Sequence, residues 1–100
     1  MTDKELNGLH DLLCGQNTAK LAFKIAEGFG YTDKELIELM WDNFAIKTDY
    51  FDTPQLDFGY CKLKQNIHIG STHWSLMWNN IGHCGTKKSR IKALIKILNK

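Results

Sequence analysis

The sequence predicts an α+β domain: three N-terminal helices, a small antiparallel sheet over about residues 56–78, and a C-terminal amphipathic helix. Three observations carry this. Apolar residues recur at helical spacing three times before residue 46, twice behind a Thr-x-x-Glu capping signal. Alternating apolar and polar residues then take over, at Leu56, Phe58 and Tyr60 and again at Ile67 and Ile69. The chain closes on a lysine-rich stretch with an Ile/Leu stripe. One hundred residues that are 43% apolar make one domain, 1–100, with enough material for a single core.

The first helix is expected over 2–14. Thr2 caps it, Glu5 completes the capping box, and Leu6, Leu9 and Leu13 form its apolar face, widened by Leu12. Gly15 stops it, and Gly8 in its interior costs about 1 kcal/mol relative to Ala. The second helix is expected over 17–29, capped by Asn17 or Thr18. Leu21, Ala22, Ile25, Ala26 and Phe29 are its predicted buried stripe, Lys20, Lys24 and Glu27 its wet side, and Gly28 and Gly30 its exit. The third helix, 32–45, repeats the capping box with Thr32 and Glu35. It presents Leu36, Leu39, Met40 and Phe44, flanked by Ile37 and Trp41.

Thr-Asp-Lys-Glu-Leu occurs at 2–6 and at 32–36, and Phe-Gly-Tyr at 29–31 and 58–60. The intervening segments do not match, so the repeats read as a reused helix start rather than a duplication. Residues 46–57, with the lone proline Pro54, read as a loop. In 73–78, Trp74, Leu76 and Trp78 alternate as in a strand, whereas Trp74, Met77, Trp78 and Ile81 fit a helix. The strand is preferred. An all-α bundle with a helix over 72–82 is the alternative. Gly82 and Gly85 bracket a turn, and the last helix runs over 86–99 from Thr86, with Ile91, Leu94, Ile95 and Leu98 inward.

Charge divides the chain in two. Residues 1–57 hold five lysines and all eleven acids, a net −6; residues 58–100 hold eight basic residues and no acid, a net +8. Lys88, Lys92, Lys96 and Lys100 stand at i, i+4 intervals, with Lys87 and Arg90 beside them. Like charges at this spacing repel by a few tenths of a kcal/mol each, about 0.2–0.5, and cations at a helix start oppose its dipole. Local propensity therefore does not explain the stripe, and an anion nearby would. The acidic row Glu35, Glu38 and Asp42 offers an internal answer. A phosphate backbone or an acidic protein surface offers an external one.

The expected function is that of a small non-catalytic binding protein without cofactor. Lys62, Lys64, Lys87, Lys88, Arg90, Lys92 and Lys96 would contact nucleic acid or a nucleoprotein complex, with Tyr60, His73 and Trp74 as stacking platforms. For the tryptophans, burial in the core is the stronger expectation. The competing class is a protein–protein module of inhibitor, immunity or adaptor type. Its charge asymmetry would steer docking, through Glu35, Glu38 and Asp42 or through the basic half.

A third class, metal protein or enzyme, rests on Cys61, His68, His73, His83 and Cys84. These lack paired zinc-ligand spacing, so no metal is expected. A Cys–His nucleophile would have to combine Cys61 or Cys84 with His68 or His73. Asp49, Asp52 and Asp57 lack the spacing of a calcium loop. No apolar run approaches the length of a membrane span, and no apolar leader follows Met1. With three cysteines and no leader, the expectation is a cytoplasmic protein with reduced thiols, a Cys61–Cys84 disulfide being the lesser reading.

Overall fold

The computed structural model describes residues 1–48, 53–68, 71–79 and 81–99. Three helices come first: α1 (Asp3–Leu13), α2 (Ala19–Gly28) and α3 (Asp33–Phe44). Five strands follow: β1 (Ile46–Thr48), β2 (Thr53–Asp57), β3 (Cys61–His68), β4 (Ser71–Trp78) and β5 (Ile81–Gly85). The last helix is α4 (Lys87–Leu98). The predicted α+β order is therefore present, and the all-α alternative is excluded because residues 71–78 are a strand.

The helix starts follow the local chemistry. At α1, Glu5 N–H donates to Thr2 Oγ1 at 3.2 Å and Thr2 N–H to Glu5 Oε1 at 3.0 Å. Thr32 and Glu35 repeat the pair at α3, at 3.1 and 3.2 Å. Both pairs place a carboxylate at a helix N-terminus, where the dipole favours it. The hydrogen bonds to Thr2 and Thr32 hold the Glu5 and Glu35 carboxyls below the usual carboxylate range. At α4, Thr86 accepts from Ser89 N–H at 3.1 Å. At α2 the pattern departs from expectation: Thr18 makes no side-chain cap and instead donates its hydroxyl back to Leu12 O at 2.7 Å. That bond ties the start of α2 to the end of α1. The two Phe-Gly-Tyr words share a conformation, Gly30 at φ +89° and Gly59 at φ +90°, which only glycine adopts without strain. Gly30 ends α2; Gly59 turns the chain from β2 into β3.

The sheet is a meander with strand order β1-β2-β3-β4-β5, each strand antiparallel to its chain neighbours. It is wider than the sequence suggested. Residues 46–48 and 53–57, read as loop, form its first two strands, and the supposed turn at 82–85 is the fifth. Pro54 pairs with Lys47 near the start of β2, a place in a sheet that tolerates a missing N–H. Residues 49–52, including Asp49 and Asp52 of the carboxylate cluster, lie outside the described residues.

Strand alternation sends Leu56, Cys61, Leu63, Trp74 and Leu76 to one face. There they join Leu6, Leu9 and Leu13 of α1, Leu36, Ile37 and Met40 of α3, and Ile91, Leu94 and Leu98 of α4 in one buried cluster. Each such side chain contributes about 1.5–3 kcal/mol by leaving water. Tyr60 bolts the β2–β3 turn to the first helix, its hydroxyl donating to Leu13 O at 2.9 Å.

In α2 the face is turned from the predicted one. Ala19, Ala22, Phe23 and Ala26 are buried, whereas Leu21 and Phe29 are each 49% exposed and Ile25 is 37% exposed. Three alanines bring the α2 backbone close to the core and Phe23 fills the gap. The larger aliphatic stripe is left outside.

Candidate functional site

The basic residues of the C-terminal half do not form one surface. Alternation along β3 buries Cys61 and Leu63, so Lys62 and Lys64 point the other way, onto the face of the sheet opposite the core. α4 packs on the core face through Ile91, Leu94 and Leu98. The sheet thus separates Lys62 and Lys64 from the helix lysines. Lys62 also has a cross-strand acid, Asp57, at 3.9 Å.

Around α4 the cations divide again. Lys87 lies over the Trp74 ring, 5.4 Å from its centroid, a cation–π contact. Arg90 is half-buried, and its Nε donates to Ser89 Oγ at 3.3 Å. Gly85 lets the end of β5 come close to this turn, since a Cβ there would stand 2.9 Å from Arg90 Nε. Lys87, itself exposed, thus touches the sheet through Trp74, whereas the Arg90 bond stays within α4. Lys88, Lys92 and Lys96 remain, all exposed. At 1.5 Å rise per residue their anchor points span about 12 Å along the helix. Lys100, the fourth of the predicted stripe, lies outside the described residues.

The internal answer to these charges is not made as contact pairs. Glu38 is half-buried on α3, Asp42 is exposed, and Glu35 is spent on its capping box. Among the described residues the ion pair formed is Lys62–Asp57, and none joins α3 to α4.

The predicted stacking residues are dispersed. Trp74 is only 7% exposed and packs against Trp41 with ring centroids 4.7 Å apart, so its ring is not a platform for a base. Tyr60 is half-buried and held by Leu13. His73 is half-buried on the outer face of the sheet, opposite Asn66 of β3. Two depressions of about 380 and 360 Å³ meet at Tyr60, Trp78 and Asn79, at the end of the sheet. Lys62 lines the first, and Gln16, Asn17 and Ile97 the second.

Cys61 and Cys84 lie on opposite faces of the sheet, Cys84 on the same face as His73. Cys61 faces the core, whereas Cys84 stands in register with Ser75 and Lys64 on the outer face. A Cys61–Cys84 disulfide would have to pass through the sheet, and both thiols are free. The same separation keeps Cys61 from His73. Burial, with a smaller contribution from Asp57, pushes the Cys61 thiol up to about 12. At Cys14, burial and then Asp11 and Asp57 also raise the thiol, although His10 Nδ1 lies 3.8 Å from its sulfur. Reactive cysteines are shifted in the opposite direction. No group of three or more His, Cys, Asp or Glu side chains among the described residues is placed to hold a metal ion.

No helix among the described residues is long and apolar enough to cross a membrane. No protein-family model, no curated protein and no solved structure matches this chain.

One surface escaped the sequence reading: the outward stripe Leu21, Ile25 and Phe29. Ile25 and Phe29 line an apolar groove of about 340 Å³ together with Glu5, Gly8, Leu9 and Leu12 of α1. The signal was present in the sequence, because α2 carries two apolar faces and only one of them could turn inward.

Proposed function

We propose that this protein is a non-catalytic binding protein whose helix α4 lies along the phosphate backbone of a nucleic acid. One observation carries the reading: Lys88, Lys92 and Lys96 form an exposed row at helical spacing with no acid paired to it among the described residues. The row's span of about 12 Å covers the axial advance of roughly three to four phosphate steps of one strand, about 3.4 Å each along a duplex. Lys87, over the Trp74 ring, and the half-buried Arg90 stand at the start of the same helix. With Trp74 buried and Tyr60 held by Leu13, recognition is of the backbone, not of stacked bases. The reading places the protein in the cytoplasm, where the exposed thiols of Cys14 and Cys84 stay reduced.

Three phosphate contacts give a slope of log affinity against log salt of about −2.7, so binding falls about 40-fold between 50 and 200 mM salt. The test is binding to generic labelled duplex DNA and single-stranded RNA at those two concentrations. The expected result is micromolar binding at low salt, lost in a variant carrying Lys88→Gln, Lys92→Gln and Lys96→Gln. Equal binding by that variant would remove α4 from the interface.

A second reading, docking to a protein, is favoured by the exposed Asp42 and half-buried Glu38 on α3, which have no basic partner among the described residues. It predicts negligible nucleic-acid affinity and a partner lost on reversing Glu38 and Asp42.

A further inference from the structure

We infer that the α1–α2 face is a homodimer interface, on which a second copy of this chain seats the same face. The stripe Leu21, Ile25 and Phe29 follows i, i+4, i+8 and so lies in one line along α2. Its exposure of 37–49% per side chain is unlike the rest of the helix, whose other apolar residues are buried. Two glycines border it. A Cβ added at Gly8, in the middle of α1, or at Gly28 meets nothing within 4 Å. Nothing among the described residues therefore requires glycine at Gly8, although it weakens α1. A neighbouring helix lying in the groove does require it, because a missing side chain lets two backbones approach closely.

The charges around the stripe select the occupant. Lys20 and Lys24 are exposed on the flank of α2 away from α1, and Asp11 is exposed on the far flank of α1. The two helices run antiparallel across a short join held by the Thr18–Leu12 bond. Asp11 therefore stands level with residues 20–24. A two-fold axis parallel to the helices lays α2 of one copy over α1 of the other. It brings Lys20 and Lys24 against the Asp11 side chain of the second copy, twice. The other two-fold, which lays α2 on α2, would set that flank, with Lys20, Lys24 and the exposed Glu27, against its own copy. The first arrangement pairs Lys20 and Lys24 with Asp11 and makes a four-helix bundle with Leu21, Ile25 and Phe29 inside.

The test is molar mass by light scattering and sedimentation equilibrium between about 5 µM and 1 mM. The expected result is a rise from the monomer's 11.5 kDa toward twice that value. Ile25→Glu, at an exposed position, should keep the monomer's circular dichroism and lose the dimer. Asp11→Lys or Lys24→Asp alone should weaken association several-fold, and the two together should restore it. The Lys88, Lys92 and Lys96 glutamine variant should dimerise as the parent does, which keeps this result separate from the nucleic-acid reading. A mass of 11.5 kDa throughout would overturn the inference and leave the stripe to a different protein. A dimer indifferent to Ile25→Glu would overturn it equally. Failure of the double charge exchange to restore association would overturn the α2-over-α1 arrangement.

Discussion

Replacing Gly8 by Ala should make the monomer more stable. Gly8 is the sixth of eleven residues in α1, exposed, with open space where a Cβ would go. The substitution therefore adds no clash and buries nothing. What changes is the backbone entropy surrendered on folding, about 0.8–1.0 kcal/mol in a helix interior. For a domain of this size each kcal/mol moves the melting midpoint by about 4–8 °C. The assay is calorimetry at low micromolar concentration, with Gly15→Ala as the opposing control. A Cβ at Gly15 meets Thr18 Oγ1, the hydroxyl that donates to Leu12 O, and displacing it should cost about 1 kcal/mol instead. Two Gly→Ala changes seven residues apart should thus shift Tm in opposite directions. An unchanged or lowered Tm for Gly8→Ala would refute the claim that nothing borders this residue in the monomer. At high concentration the same variant should associate less well than the parent, so a gain in monomer stability and a loss in dimer would appear in one protein.

Alkaline conditions should destabilise the fold. Burial raises Tyr60 from 10.0 and Cys61 from 9.0, each to about 12, so the unfolded chain releases these protons first. The stabilisation is whole below pH 9 and is lost as pH climbs toward 12. Denaturant melts at pH 8 and pH 11 should show the decline, and Tyr60→Phe with Cys61→Ser should flatten it; an unaltered pH dependence would count against these two groups. Leu94→Ala in α4, a fully buried position, should lose about 2–5 kcal/mol in chemical denaturation, while a loss under 1 kcal/mol would mean that α4 is not anchored where Leu94 stands.

Much of this fold was legible because local chemistry and tertiary packing agree. Both capping boxes, the Thr86 cap, and the core positions of α1 and α4 follow from residues within one or two turns. Strand β4 was legible from the alternation of Trp74, Leu76 and Trp78, because one of its faces is buried; the alternation at Leu56, Phe58 and Tyr60 instead straddles the β2–β3 turn, and Ile67 in β3 is 54% exposed. Where the reading failed, two local solutions were nearly equal. α2 offers an aliphatic line and an alanine line, and the choice between them depends on how closely the helix must approach α1 and α3. β1 and β5 are edge strands of three and five residues, too short to show a period. The site was half legible. The lysine row on α4 was visible as spacing. That Lys62 and Lys64 lie behind the sheet, and that Lys87 and Arg90 are taken up by Trp74 and Ser89, depends on register and packing that only the folded chain defines.

The meander also sets how the chain finds its fold. Among the described residues no rung of the sheet joins positions more than 17 apart, the widest being Cys61 with Trp78. Short loops cost little entropy to close, and chains dominated by such contacts cross a low barrier. Hairpins form within about 1–10 µs. Among the contacts that must wait is the Tyr60 hydroxyl on Leu13 O, 47 residues apart. It forms only when the sheet arrives on α1, and so it marks the moment at which two locally assembled halves become one molecule.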